Sequence, residues 1–305
     1  MRNALRPALA AAALPWLLAL ATPALRAAPG PAGAAGVAMP VSFEAVLALE
    51  ARAPDYRAAY GAAPSQFSSL WLPPGDAPAP VLVLVHGGCW LVDYDAGHIA
   101  PLAARLAADG FAVWVPEYRR VGEAGGGWPG TAQDLLASLA QLAALDEARL
   151  DRGNLLLAGH SAGGQLALWL AARGAAQWPP SLVPRAVVGL APIADLAAYA
   201  RGGNSCEAVT SRFLGGMPET VPQVYAAASP AALRSRLATL LLRGSDDPIV
   251  GAGQPASMAG RLLVTQRELA GAGHFDWIHP GTAAYADLLP ALRRLAGWFD
   301  APGKP

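Results

Sequence analysis

Short unbroken apolar runs alternate along this chain with longer stretches in which apolar residues return every three or four positions. Val81–Val85, Phe111–Val115, Asn154–Ala158, Arg185–Leu190 and Ala238–Leu242 are runs of the first kind, and Val264–Leu269, more polar, reads as the last strand. The apolar runs predict strands covered on both faces, because the polar positions of a half-exposed strand are missing. Asp95–Asp109 carries Ile99, Leu102, Ala103 and Leu106 at helical spacing and stops at Gly110, which suits the left-handed residue after a helix. Thr131–Leu145 places Leu135, Leu139 and Leu142 on one face, and Ser161–Arg173 predicts a further helix. Gly281–Phe299 predicts the last helix, with Pro290 expected to kink or split it. Repeated strand–helix alternation predicts an α/β fold: a mostly parallel central sheet with helices on both faces. Phe67–Leu72 predicts an antiparallel edge strand ahead of the series.

The rhythm breaks between Asp195 and Pro230, a stretch rich in Gly, Ala and Ser that contains Tyr199, Cys206, Phe213 and Tyr225. At roughly 35 residues it is too long for a plain connection. It is expected to form a small cap over the C-terminal edge of the sheet, where such folds bind ligands.

The N-terminus reads differently. Arg2 and Arg6 precede an uncharged run, Pro7–Leu25, centred on Leu14–Leu20, and a Pro/Gly/Ala stretch runs on to Gly36. That is the order of a secretory signal, with cleavage expected after Ala24 or within Ala27-Ala28. A membrane anchor is the alternative; the Ala content and Pro15 weigh against it. Residues 1–36 are therefore expected to be signal and linker, and residues 37–305 one domain carrying the 195–230 insertion. The expected location is the periplasm or the outside of the cell, with no other membrane span.

Composition narrows the function classes. The chain has 22 basic and 22 acidic residues, with 54% apolar and 14% charged residues. That excludes intrinsic disorder. The absence of a Lys/Arg cluster argues against nucleic acid as a partner. The two cysteines, Cys89 and Cys206, are too few for a disulfide framework or a Cys-ligated zinc site. They could pair in an oxidising compartment, but two separate small buried residues are the expectation. No metal-ligand spacing appears, so no cofactor is expected. Monomer and homodimer are both compatible with the sequence.

Three motifs carry chemistry. Gly159-His160-Ser161-Ala162-Gly163 is a G-x-S-x-G between a predicted strand and a predicted helix. A sharp strand-to-helix turn exposes the Ser161 hydroxyl there, with glycine on both sides because a Cβ would clash. His86-Gly87-Gly88-Cys89-Trp90 follows the first buried strand. Its glycines allow close approach to a substrate. The N–H groups of Gly88 and Cys89, joined by Ala162, are expected to hold a developing oxyanion. His86 reads as a structural, hydrogen-bonded residue. Asp246-Asp247-Pro248 follows the Ala238–Leu242 strand and Gly273-His274-Phe275 the last one. The order Ser…Asp…His suits a nucleophile, an orienting acid and a general base. His274 is expected to be the base, with His279 as its rival. Asp247 is preferred to Asp246 as the acid. Trp90, Trp128 and Trp277 are expected to shape the substrate pocket.

With these residues placed, the chain resembles the α/β-hydrolase superfamily. The likeness is to the serine esterase branch with an H-G-G-x-W motif: hormone-sensitive-lipase-like, kynurenine formamidase-like and bacterial feruloyl-esterase-like enzymes. It covers about Val81 to Trp298 and includes Glu117-Tyr118-Arg119-Arg120, Gly126-Gly127-Trp128-Pro129 and Asp134. The resemblance implies an α/β-hydrolase fold, Ser161, Asp247 and His274 as a triad, and hydrolysis of small carboxylic esters through an acyl-enzyme. Cys89 departs from the glycine that H-G-G-G lipases carry there. An arylformamidase or other amidase with the same triad is the alternative expectation. A serine peptidase and a non-catalytic ligand-binding protein stand further off.

Overall fold

The structure, a computed structural model, describes residues 38–173 and 177–298. The expected signal and linker segment lies outside the described residues. Among the described residues, no helix is long and apolar enough to cross a membrane.

Eight strands form one sheet: β1 (Tyr56–Ala59), β2 (Phe67–Trp71), β3 (Ala79–Val85), β4 (Ala112–Pro116), β5 (Leu150–His160), β6 (Pro184–Leu190), β7 (Ala238–Gly244) and β8 (Val264–Leu269). Their spatial order is β1-β2-β4-β3-β5-β6-β7-β8. From β4 to β8 the neighbours run parallel, while β1–β2 and β2–β4 are antiparallel. Every residue of β3 and β4 is buried, as their unbroken apolar runs require. β2 is antiparallel, as expected, but it is not the edge. β1 covers it, pairing Tyr56 with Leu70 through Ala59 with Phe67. The β1 sequence, Tyr-Arg-Ala-Ala, is too short and weakly patterned to announce a strand.

The helices pack on both faces. One core layer gathers α3 (Gly130–Ala144) and α4 (Ala162–Arg173) with inward side chains such as Val81, Val83, Leu155 and Leu157. The other gathers α2 (Ala100–Ala108) and α9 (Ala283–Leu295) against Leu82, Leu84, Leu156 and Val188. The short helix α8 (Gly253–Ala256) falls between β7 and β8 in the chain. The alternation of neighbours along each strand between the two layers is the period-two geometry of a strand. Two helices differ from expectation. The segment from Asp95 opens as a 3-10 turn, Ala96–Ile99, with Asp95 Oδ1 accepting the Gly97 N–H, and becomes α-helical at Ala100. Pro101, inside the first turn of α2, needs no N–H there. Pro290 does not split α9, which runs through it with Leu288, Ala291 and Leu292 buried on either side. Proline forfeits one helical hydrogen bond, and the buried face of α9 holds the helix across it.

The Asp195–Pro230 stretch leaves the C-terminal end of β6 as three short helices, α5 (Leu196–Tyr199), α6 (Ser205–Leu214) and α7 (Pro222–Ala228). Asn204 caps α6, and Glu207 closes a capping box with it. At the other end of the described chain, Ser42 caps the short helix α1 (Phe43–Leu47), and the Val41 N–H donates to Asp276 Oδ2 at 3.3 Å. Connections leave β3 towards β4 on one side, while β5 lies on the other. That switch point opens a crevice beyond the strand ends, and the loops after β3 and β5 meet there.

Candidate active site

β5 ends at His160, Ser161 turns the chain with a φ of +56°, and α4 begins at Ala162. A non-glycine residue in the left-handed region is strained by about 1–3 kcal/mol, so its surroundings must hold it. The Ser161 N–H donates to the Leu190 carbonyl at 2.9 Å, and the Ser161 carbonyl accepts from Gln165 at 3.1 Å. The flanking glycines are steric necessities. A Cβ on Gly159 would sit 2.1 Å from the Gly163 carbonyl oxygen, and one on Gly163 would sit 2.2 Å from that of His86. Both clashes are with backbone, which cannot move aside cheaply.

His274 follows β8, and its Nδ1 lies 2.8 Å from Asp247 Oδ2. Asp247 Oδ1 accepts the N–H groups of Ile249 and Val250, each at 2.8 Å. Burial raises the Asp247 carboxyl's proton affinity. The His274 hydrogen bond, the nearby imidazole and the two backbone donors outweigh it and hold the pKa below the ordinary carboxylate value. Asp246, by contrast, is exposed and bonds to the Ser245 hydroxyl at 2.6 Å. Of the adjacent acids, Asp247 is the one on the imidazole. His279 bonds through Nδ1 to its neighbour Gly281 and takes no part. Among the described residues, no hydrogen bond joins Ser161 Oγ to His274; such bonds often tighten only in the substrate complex.

His160 has a positional task that the sequence did not announce. Its Nε2 lies 3.0 Å from the His274 carbonyl oxygen, so it donates its proton there, and the two rings are 4.6 Å apart. Burial and the facing His274 push its pKa well below the ordinary histidine value. A neutral His160 therefore ties the elbow to the loop that carries His274.

The loop after β3 makes three consecutive left-handed residues, with φ values of +101° at Gly88, +51° at Cys89 and +58° at Trp90. The N–H groups of Gly88, Cys89 and Ala162 donate to no other group among the described residues. They are free to receive an oxyanion. His86 anchors the loop from beneath. Its Nε2 faces Glu117 Oε1 and its Nδ1 the Gly87 carbonyl, both at 2.9 Å, and its ring stacks on Tyr118. Arg120 also reaches Glu117, at 3.4 Å. His86 is thus a structural residue, committed to Glu117 and the Gly87 carbonyl.

Ser161, His274, Gly88 and Cys89 line one pocket of about 310 Å³. Its walls come from Phe43 on α1, Tyr94, Phe275 and Ile249, with Glu44 and Asn204 also at its lining. The three tryptophans expected there are elsewhere. Trp90 is fully buried, stacked on Phe213 at 4.6 Å and bonded through Nε1 to Gln165 Oε1 at 3.0 Å. Trp128 packs edge-on to Trp169 and Phe213. Trp277 is fully buried in the core layer of α2 and α9. The expectation placed large aromatics in the pocket because of their sequence proximity to the motifs, whereas packing draws these indoles inward. Phe43 sits far from any motif, and Tyr94 lies four residues past Trp90, where no local pattern marks it as a pocket residue.

The expectation of two separate cysteines is also overturned: Cys89 and Cys206 form a disulfide. Folding brings α6 onto the loop after β3, a proximity that 117 residues of separation conceal in the sequence. Among the described residues, no group of three or more His, Cys, Asp or Glu side chains is placed to hold a metal ion.

The family model BD-FAE matches residues 69–262, well over half of the chain. The chain belongs to the BD-FAE family. The matched region spans the loop after β3, the elbow and Asp247, whereas His274 and Phe43 lie outside it. This BD-FAE chain is 29% identical over 262 residues to Esterase LipC of Mycobacterium tuberculosis, an alignment covering 76% of this chain and 63% of that protein. The chain thus spans under two thirds of its curated relative's length. In structure it is similar to Esterase B of Lactobacillus rhamnosis, with a TM-score of 0.69 at 20% identity, covering 84% of this chain and 90% of that one. It is also similar to esterase 2 of Thermogutta terrifontis, solved phosphonylated by sarin, with a TM-score of 0.61 at 18% identity, covering 81% and 96%. The fold is the α/β-hydrolase fold that the motifs led one to expect.

Proposed function

We propose that this BD-FAE protein is a serine-dependent hydrolase of small carboxylic esters. The carrying observation is the 2.8 Å bond from Asp247 to His274, which lines one pocket together with Ser161. Asp247 accepts a hydrogen bond from the Nδ1–H, which leaves His274 Nε2 as the lone-pair nitrogen for Ser161. Ser161 Oγ attacks the ester carbonyl and its proton passes to Nε2. The carbonyl oxygen becomes an oxyanion and receives the N–H groups of Gly88, Cys89 and Ala162. Collapse breaks the ester C–O bond, and the leaving alkoxide takes the proton from Nε2. Water then attacks the acyl-enzyme, gives one proton to Nε2, and Ser161 leaves with that proton restored.

The named esterases among its relatives support ester cleavage over amide cleavage. The Cys89–Cys206 disulfide supports export through the N-terminal signal, since disulfides persist in oxidising compartments.

The test is hydrolysis of p-nitrophenyl acetate beside formanilide, with Ser161→Ala as control. The account expects ester turnover well above formanilide turnover. It expects a fall of about a thousandfold or more in the variant, with residual rate from the oxyanion donors alone. Full activity of Ser161→Ala overturns it.

A further inference from the structure

Helix α6 of the insertion touches both halves of the candidate machinery. At its N-terminal end, the Asn204 side chain donates through Nδ2 to the Ile249 carbonyl at 3.1 Å. Ile249 in turn donates its N–H to Asp247. Two residues further on, Cys206 is bonded to Cys89. Two turns later, Phe213 stacks on Trp90 with planes 8° apart, and its carbonyl accepts the Trp128 N–H at 2.8 Å. One short helix therefore holds the acid loop at one end and the oxyanion loop along its length.

The oxyanion loop needs that hold. Cys89 and Trp90 are side-chain-bearing residues in the left-handed region, and such residues persist only where the surroundings over-determine them. Trp90 has its stacking partner and the Gln165 hydrogen bond. Cys89 is half-exposed at the pocket, and its N–H is kept free for the oxyanion. The bond to Cys206, which is buried in α6, is what anchors its side chain.

We propose that Cys206 is a positioning residue for the oxyanion hole, acting through its disulfide to Cys89, so that turnover depends on the oxidised state of this pair. The proposal rests on the ester-hydrolase reading. Reduction by an external dithiol breaks the S–S bond: two electrons and two protons pass to the sulfurs, giving two thiols, while the dithiol closes into its own disulfide. The loop is then free to leave the left-handed conformation and turn the Cys89 N–H away.

The experiment compares oxidised protein, dithiothreitol-reduced protein and the Cys89→Ala/Cys206→Ala double variant, with thiol titration confirming each state and circular dichroism confirming the fold. The substrate is p-nitrophenyl acetate, and a phosphonate ester reports the oxyanion hole. Loss of one oxyanion donor costs on the order of 10²–10³ in kcat. A loosened donor is expected to cost about tenfold or more in kcat, with KM little changed and phosphonylation slowed in parallel. Reoxidation should restore the rate of the reduced wild type. That rescue separates positioning from misfolding in the variant. Unchanged kcat in fully reduced protein overturns the proposal, as does a loss confined to KM. An oxidised protein inert to both ester and phosphonate instead refutes the ester-hydrolase reading itself.

Discussion

Asp247 Oδ2 sits 2.8 Å from His274 Nδ1 while its other oxygen is occupied by two backbone donors, Ile249 and Val250. Every lone pair that matters is committed, so the carboxylate cannot rotate away from the imidazole. Asp247→Asn should keep the fold, because the amide oxygen can still accept the two N–H groups. Its NH2 would then face Nδ1 and select the wrong tautomer. The expected loss in kcat is about 10³–10⁴. Asp246→Asn, at an exposed residue bonded to Ser245, should change the rate less than about threefold, within the small effects usual for surface substitutions. The reverse ranking in steady-state kinetics would transfer the acid role to Asp246.

Gly88 tests the loop after β3 separately. Its φ is +101°, and a Cβ there would lie 2.3 Å from Tyr94 Cβ. Gly88→Ala should therefore displace the donor N–H and lower kcat by about a hundredfold. The melting temperature should drop by only a few degrees, since strain at one such residue is about 1–3 kcal/mol. Wild-type turnover in this variant would show that the N–H of Gly88 does not face the substrate.

Phe43 holds the pocket position that sequence proximity suggests for Trp277. Phe43 lines the pocket and contacts the Phe275 ring at 5.2 Å. Phe43→Ala should raise KM for apolar esters several-fold and leave the melting temperature nearly unchanged. Trp277 is wholly buried. Trp277→Ala should destabilise by about 3–5 kcal/mol, with KM of the surviving folded protein unaltered. Urea denaturation and a KM measurement on each variant would decide it.

Stability should fall on acidification in two stages. His98 is kept from protonating by burial and by the nearby His86, which lower its pKa from 6.5 to about 4. Burial raises the Glu117 carboxyl, but the charge and hydrogen bond of His86, then Arg120 and the Tyr118 N–H, carry it below 4.5 to about 2. In both cases the unfolded chain binds the proton first, so stability is lost as pH falls. The His98 contribution fades between pH 6.5 and 4, and that of Glu117 between 4.5 and 2. Urea midpoints measured from pH 7 to pH 3 should decline throughout, and His98→Asn should make the upper stage shallower without removing it, because buried His160 also resists protonation. A midpoint that rises on acidification from pH 6.5 to 4 would contradict this.

The parts legible in the sequence are those where local chemistry dictates structure. The apolar runs of β3 and β4 could only be strands buried on both faces, and Gly159, Ser161 and Gly163 could only make so tight a turn with glycine at both flanks. Of the adjacent acids the sequence favours Asp247, and the structure places it on the imidazole. What stayed hidden depends on residues distant in sequence. The Cys89–Cys206 bond needs α6 folded back over the β3 loop. The aromatic wall needs Phe43, Tyr94 and Phe275 to converge from three separate segments. β1 was hidden for another reason: four residues with two alanines carry too little hydrophobic pattern.

The central claim is that Ser161 is the nucleophile, activated by His274. The most direct measurement is intact-protein mass and peptide mapping after treatment with a p-nitrophenyl phosphonate. The account predicts one phosphonyl adduct per chain, on Ser161, formed with release of p-nitrophenol and loss of esterase activity in step. It also predicts no adduct in Ser161→Ala and sharply slowed labelling in His274→Ala. Stoichiometric labelling at another residue, or full turnover by protein already phosphonylated at Ser161, would contradict it.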